Sequence, residues 1–383
     1  MTTPHAPALQ VVLAAVRRDG AEAEARAQAV ADVADWDEVV AAAIRHDVPW
    51  WVWRALPATG VSADARRVLE DTVRTLALRS LAGVCELLRI VRALEDAGIG
   101  VAAYKGPALA ADVHGDVGAR RFTDLDLLVA ERDRDAARRA LLAIGYQPPA
   151  GLTDREERFY STWEGVAHFV AADADFPVEV HWRVQAPRYG GPQDPAQIVR
   201  GARRCQLGGG SVLLPAVETQ AVLLALHGVK HAWTSLLWVV DFAHAVAREP
   251  FDWDRFDAAA LHWGVERAAH IALLVAHDLV RLPVPAGRLA SARRDGAAVA
   301  LADDAVRGLL GDAATPNAGR ASTPRYDLQW LGSLTARVRY LALAAALPTP
   351  QDRAVARLPD ALLPLAYPVR AWRLLHRALG RRA

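Results

Sequence analysis

The strongest constraint on the fold is a short run of alternating apolar and polar residues in the first half of the chain. Leu125, Leu127 and Val129 alternate with polar residues around Asp124 and Asp126, which is the period-2 pattern of a half-buried β-strand. The two aspartates therefore share one face of the predicted strand. Carboxylates at positions i and i+2 can bind the same hard cation, as in sites where Mg²⁺ is held by carboxylates and substrate phosphates. A D-x-D triplet alone is more often a solvated strand face, so a second signal is needed.

A second strand-like run supplies that signal. In residues 176–182, Glu179 alternates with apolar neighbours in the same way, and a third carboxylate on a neighbouring strand would complete a metal-binding cluster. His181 lies two residues further and hence on the same face. We expect His181 to contact substrate or relay a proton, or to be structural; the sequence leaves both roles open.

Four ordered motifs carry a resemblance to a known family. They are K-G at 105–106, R-x-F-x-D-L-D-L-L-V at 120–129, V-E-V-H-W at 178–182, and H-G-V-K-H-A-W at 227–233 with L-W-V-V-D at 237–241. In this order they resemble the uncharacterised nucleotidyltransferase family within the DNA polymerase beta-like superfamily. The resemblance covers most of the chain, from about Trp36 onward.

The patterns along the chain and this resemblance together predict an α+β fold. We expect a small mixed β-sheet nucleotidyltransferase core, flanked by N-terminal helices and a C-terminal helical domain. The predicted parts are an N-terminal helical region at 1–98, the α/β core at 99–190 and the helical domain at 191–383. Asp35 and Ser62 are predicted N-caps of helices, and Gly98 is predicted to follow the end of the second one.

The resemblance also implies a two-metal mechanism. Phosphoryl transfer of this kind needs carboxylates that hold two cations about 4 Å apart. We expect Asp124 and Asp126 to be shared ligands of two Mg²⁺ or Mn²⁺ ions, and Glu179 to complete one site and to orient or deprotonate the acceptor. These three residues are the predicted catalytic and metal-binding set.

The nucleotide is expected to bind beside this cluster. The chain has only two lysines, Lys105 and Lys230, and both fall within the motifs. The turn at Gly106 is followed by a proline, which has no N–H to offer a phosphate, so Lys105 is the candidate for the compensating charge. Arg120 is expected to contact phosphate oxygens, because guanidinium matches phosphate bidentately. Lys230 and His231 are the further candidates for nucleotide binding.

His227 and His231 are spaced i, i+4, which also suits zinc, but no H-E-x-x-H pattern is present. We therefore favour a polar helix face turned toward the nucleotide. The role of Asp241 stays open.

Composition restricts the partners and the compartment. A net charge of +1 argues against a protein that holds long nucleic acids, which usually has a marked basic excess. Cys85 and Cys205 show no ligand or disulfide spacing, so a reducing cytoplasm is the expected location. No segment reaches the roughly 18 apolar residues of a membrane span.

The leading hypothesis is transfer of a nucleoside monophosphate from an NTP, expected to be ATP, to an acceptor, with release of pyrophosphate. The acceptor is a small molecule, a peptide or a protein, and neither its identity nor the oligomeric state can be predicted. A non-catalytic nucleotide-binding or scaffold protein is one alternative, and a D-x-D glycosyltransferase is another. The first must keep three repelling carboxylates together without an electrostatic reason. The second needs a longer nucleotide-binding α/β region before the D-x-D.

Overall fold

The computed structural model describes residues 7–17, 35–57, 59–191, 194–311, 323–349, 352, 355–356 and 358–380. The helices before the sheet are α1 Pro7–Ala15, α2 Trp36–Arg45, α3 Pro49–Arg54 and α4 Ala63–Asp96. The sheet region contains β1 Val101–Ala103, α5 Gly106–Leu109, β2 Leu125–Val129, α6 Arg134–Ala143, α7 Asp154–Glu164, β3 Val166–Phe169 and β4 Val178–His181. A π-helical turn, Ala110–His114, continues α5, and 3₁₀ turns occupy Val117–Ala119 and Glu131–Asp133.

The remaining chain is mainly helical. It contains a 3₁₀ turn Pro187–Tyr189, α8 Ala196–Arg200, β5 Arg203–Leu207, β6 Gly210–Leu214, α9 Val217–Lys230, α10 Leu236–Val246, α11 Trp253–Trp263 and α12 Glu266–Val280. It ends with α13 Ala286–Arg294, α14 Gly296–Leu310, α15 Pro324–Trp330, α16 Leu334–Ala346, a 3₁₀ turn Asp360–Leu365 and α17 Ala366–Gly380. The structure confirms the predicted α+β fold. Helices precede and follow a small mixed sheet along the chain.

The capping residues define the long helix α4 as the sequence predicted. The Ser62 hydroxyl accepts a hydrogen bond from the backbone N–H of Ala65, and Gly98 follows the helix with φ +75°. Only glycine adopts this left-handed conformation without strain, so it ends the helix cleanly. Asp35 caps α2 by accepting from the N–H of Asp37. Local chemistry thus sets these boundaries.

The main sheet has four strands in the order β1-β2-β4-β3. The outer pairs are antiparallel, whereas the central strands β2 and β4 are parallel. Parallel neighbours need a crossover connection, and the chain from α6 to β3 provides it. In the resulting register Asp126 lies beside Glu179.

The two faces of β2 pack against different helices. Leu125, Leu127 and Val129 belong to an apolar cluster with the second half of α4. Leu128 lies on the opposite face, in a small cluster that includes Leu223 of α9. The face that carries Asp126 is therefore turned toward the helices that follow the sheet.

Helix α7 and the β5–β6 hairpin were not predicted from the sequence pattern. Helix α7 begins with a capping box, in which Thr153 and Glu156 each accept a hydrogen bond from the other's backbone N–H. Strands β5 and β6 form a separate hairpin, and β6 packs beside β1. Gly208 and Gly209 form its turn with φ +54° and +81°, the positive values that a two-residue type I′ hairpin loop requires.

Helix α4 joins two apolar clusters. Leu69 and Val73 of its first half pack with α1–α3 and with the helices from α9 onward, whereas the second half packs under the sheet. At 1.5 Å per residue, the 34-residue helix is about 50 Å long. The boundaries proposed at residues 98 and 190 stay predictions. Within the described ranges, every helix falls short of the length and apolar character that crossing a membrane requires.

Candidate functional site

The acidic residues of the predicted site lie together at one end of the parallel strands. Asp126 of β2 and Glu179 of β4 are register partners, and Asp124 directly precedes β2. Asp126 is 3% exposed, while the other two carboxylates are half-buried. All three line one cleft. Two parallel strands with side chains on the same face thus bring residues from separate motifs together.

Basic side chains neutralise the two strand carboxylates. Asp126 Oδ2 lies 3.2 Å from Lys105 Nζ, and Asp126 Oδ1 lies 2.9 Å from His181 Nε2. The same His181 nitrogen is 3.2 Å from Glu179 Oε2, and Glu179 Oε1 is 3.2 Å from His168 Nδ1. Positive and negative groups therefore alternate from Lys105 to His168. Glu179 belongs to the same network as Asp126, because His181 contacts both.

The pKa values reflect this network. Burial alone raises the pKa of Asp126, but Lys105 and His181 outweigh it and lower that pKa to about 2. Burial also opposes the charge of Glu179, whose pKa is nevertheless held well below its usual range by two histidine hydrogen bonds. The pKa of His181 is raised, because the two carboxylates outweigh its burial. Burial, followed by the charge of Asp126, raises the pKa of Asp124.

The turn at Lys105, Gly106 and Pro107 lies beside the acidic residues. Gly106 is buried with φ +65°, a conformation that favours glycine, and it does not line the cleft. The Lys105 ammonium lies 4.7 Å from the centre of the Tyr104 ring as well as against Asp126. Its charge is engaged within the cluster, so it must exchange partners before it can compensate a phosphate.

A second part of the cleft wall is aromatic and basic, and it meets the acidic cluster where His227 Nδ1 lies 3.5 Å from Lys105 Nζ. The ring centres of His227 and His231 are 4.7 Å apart, and they lie 5.0 and 5.1 Å from the ring of Trp238 in α10. Burial, followed by the charge of Lys230, lowers the pKa of His231 to about 4. Burial, followed by the charge of Lys105, also lowers the pKa of His227. Both histidines are therefore neutral near pH 7.

Lys230 differs from Lys105 in having no ion pair with any residue in the described part of the chain. Its side chain is exposed to solvent, but the walls of the cleft lie close around it. Desolvation by these walls, followed by the charge of Lys105, lowers its pKa. Lys230 thus offers a positive charge to a ligand.

Arg120 is fixed at the edge of the cleft by a residue behind it. Its Nε donates to Asp241 Oδ2 at 2.8 Å, and His114 Nε2 lies 2.8 Å from Asp241 Oδ1. Asp241 is fully buried and does not line the cleft, whereas Arg120 does. Burial opposes the charge of Asp241, but Arg120 and His114 lower its pKa. Asp241 therefore positions the Arg120 guanidinium.

The cleft between these walls has a volume of about 440 Å³, within the range of ordinary small-molecule sites. Apart from Gly106, every site residue predicted from the sequence lines it. A comparison with known protein families matches residues 32–281, which include the whole cleft, to the family described as uncharacterised nucleotidyltransferase. The chain belongs to this family. A search of curated proteins finds no match.

The cleft has a donor set that fits a divalent cation. Single ligand atoms of Asp126, Glu179 and His181 all lie within 4.8 Å of one another. Carboxylate oxygens are the ligands that Mg²⁺ and Mn²⁺ use in proteins. Asp124, which the sequence placed among the ligands, lines the same cleft but is not in this close group.

Sequence reasoning missed several residues of the cleft. Trp238 lines the cleft. It lies within the L-W-V-V-D motif, but the motif alone assigns the tryptophan no function. Gln185 is 5% exposed, and neither polar atom of its amide has a hydrogen-bond partner in the described ranges. Asp47, which pairs with Arg121 at 2.9 Å, comes from the distant N-terminal helices. Of these three residues, only Trp238 lies in a motif that the sequence marks out.

Proposed function

We propose that this protein transfers a nucleoside monophosphate from an NTP to an acceptor. The observation that carries the proposal is the pairing of Asp126 with Glu179 on adjacent parallel strands, with Asp124 next to them, in the wall of a cleft large enough for a nucleotide. In the reaction an acceptor oxygen attacks the α-phosphorus, the bond between that phosphorus and the bridging oxygen breaks, and pyrophosphate leaves. The acceptor is a small molecule, a peptide or a protein.

The three carboxylates have separate tasks in this proposal. Asp124 and Asp126 would hold two ions of Mg²⁺ or Mn²⁺, and Glu179 would take part in holding one of them. The bound cations would polarise the acceptor hydroxyl and neutralise the leaving pyrophosphate. Glu179, half-buried at the cleft, orients the acceptor and accepts its proton.

The aromatic and basic part of the wall binds the nucleotide. Lys230 is the cation that meets the phosphates, because it has no ion pair with a described residue. Arg120 adds a guanidinium that Asp241 holds in place. Lys105 would add a second ammonium, because a cation bound at Asp126 would release it from its ion pair. His231 and Trp238 are half-buried and line the cleft, so they supply aromatic rings on which a base can stack. We expect ATP to be the NTP.

Incubation with each α-labelled NTP and Mg²⁺ or Mn²⁺ tests the proposal. Mass spectrometry of the protein and of a cell extract then shows whether a nucleotide has been added. We expect pyrophosphate release that Asp124→Asn abolishes and that Asp175→Asn, a change of an exposed carboxylate in the β3–β4 loop, leaves intact. Equal turnover in the two variants would refute the metal assignment.

One observation favours a second candidate, a non-catalytic nucleotide-binding protein. Lys105 and His181 already satisfy both oxygens of Asp126, so this carboxylate is stable without a metal. This candidate predicts NTP binding that is independent of divalent cations and no pyrophosphate in any acceptor screen. Calorimetry with and without Mg²⁺ separates the two candidates.

A further inference from the structure

We propose that His181 is a nitrogen ligand of the metal in this cleft and that the site consequently binds Mn²⁺ more tightly than Mg²⁺. The inference rests on the proposed function, because it concerns the metal of the same site. It departs from the all-carboxylate set expected from the sequence. Its basis is the position of His181 Nε2, which lies 2.9 Å from Asp126 Oδ1 and 3.2 Å from Glu179 Oε2.

These spacings suit neighbouring ligands of one ion. Ligands of an octahedral cation lie about 2.1 Å from it, so neighbouring ligands are about 3 Å apart. The Asp126, His181 and Glu179 atoms already have that separation along the two measured edges of their triangle. An ion can therefore contact all three atoms with little movement of the side chains.

The sheet fixes this arrangement. Glu179 and His181 are two residues apart on β4 and share a face, and Asp126 lies beside Glu179 on β2. His181 is 7% exposed, and its ring lies edge-on to Tyr104 with 6.0 Å between ring centres. Burial and this contact restrict the imidazole, so the three donors are preorganised by strands and not by loops.

The donor chemistry determines the preferred ion. Mg²⁺ takes oxygen ligands almost exclusively, and replacing one by imidazole weakens its binding. Mn²⁺ accepts carboxylate oxygens and also coordinates imidazole, as do other first-row ions. Two carboxylates and one imidazole therefore favour Mn²⁺ over Mg²⁺ when both are offered.

The distances from His181 Nε2 to the two carboxylate oxygens are also those of N–H···O hydrogen bonds. In such bonds a proton on Nε2 links the two carboxylates. In that arrangement a bound ion has only oxygen ligands. Pulsed electron paramagnetic resonance of bound Mn²⁺ distinguishes the two arrangements, because a directly bound nitrogen gives a modulation that changes when ¹⁴N is replaced by ¹⁵N. Labelling of histidine alone allows this test on the unmodified chain.

We expect a nitrogen modulation in the unmodified protein that changes with ¹⁵N-histidine. It should persist in His168→Asn, in which the histidine on the outer side of Glu179 is removed, and disappear in His181→Asn. Calorimetry should give an Mn²⁺ affinity at least about tenfold above that for Mg²⁺, with most of the difference lost in His181→Asn.

Bound Mn²⁺ without nitrogen modulation would overturn the assignment of His181 and leave nucleotidyl transfer standing. A clear modulation together with no pyrophosphate release from any NTP would retain the ligand and overturn the proposed function. Even if His181→Asn fails to fold, the absence of a nitrogen modulation in the labelled, unmodified protein would overturn the assignment.

Discussion

Asp126 and Asp241 are two buried aspartates with partners of the same kind and with different access to the cleft. Each is held between one permanently basic side chain and one histidine. The partners are Lys105 and His181 for Asp126, and Arg120 and His114 for Asp241. Asp126 lines the cleft, whereas Asp241 is enclosed behind it. The same electrostatic arrangement therefore serves two purposes.

Access to the cleft determines what each aspartate can do. A cation that enters the cleft can replace Lys105 or His181 at Asp126, so this carboxylate is able to exchange partners. Asp241 has no such route, so its ion pair holds α10 against the segment before β2 and keeps the Arg120 guanidinium at the edge of the cleft. Removing one partner of a buried pair leaves an uncompensated charge, which is more costly where water cannot reach it. Four substitutions or titrations test this distinction.

The largest effect is expected for Asp126→Asn. The neutral amide is a poor metal ligand, so turnover of NTP should fall by roughly a thousandfold. The loss should appear in the rate of pyrophosphate release at saturating NTP and metal, while the protein stays folded. Retention of more than about a tenth of the activity would contradict the role of Asp126 as a ligand.

Asp241→Asn should mainly reduce stability. It leaves Arg120, which is 5% exposed, without its counter-charge, and such a loss typically costs about 3 to 5 kcal/mol. Urea denaturation measures the change in the free energy of unfolding. A variant that is as stable as the unmodified protein would show that this ion pair does not stabilise the fold.

A third test measures how the free energy of unfolding of the metal-free protein decreases at acid pH. The folded-state pKa of Asp126 is about 2, below its ordinary value of 3.8, so its contribution is present above pH 3.8 and is lost as the pH falls to about 2. The shift corresponds to about 2 kcal/mol at 1.36 kcal/mol per pKa unit. Unfolding between pH 4 and 2 should therefore be flatter for Asp126→Asn than for the unmodified protein. Parallel curves would show that the ion pair does not stabilise the fold.

Lys230→Met should have the smallest of the four effects. Lys105 and Arg120 are each in an ion pair, so Lys230 is the cation left to meet the phosphates. Its loss should weaken NTP binding by roughly tenfold, about 1.4 kcal/mol. Titration calorimetry at two salt concentrations measures this, because a charge contact weakens as salt rises. Arg200→Met removes an exposed charge outside the cleft and is the matched control. Equal NTP affinities of Lys230→Met and Arg200→Met would show that Lys230 does not bind the phosphates.

Much of the local structure was predictable. The period-2 pattern at 125–129 identified the central strand, and Ser62 and Gly98 located the ends of the longest helix of the described chain. These signals depend on residues a few positions apart, so no tertiary information is needed to read them. Helix α7 and the β5–β6 hairpin were missed, although both carry recognisable capping or turn residues.

By itself the sequence determined which residue types are available and which of them share a strand face. The tertiary structure decided their partners: that Lys105 pairs with Asp126, that Arg120 turns to Asp241, and that Trp238 reaches the cleft. Strand register and helix packing are set by the burial of apolar side chains from the whole chain. A charged residue in one motif therefore acquires its partner only when those distant apolar surfaces come together.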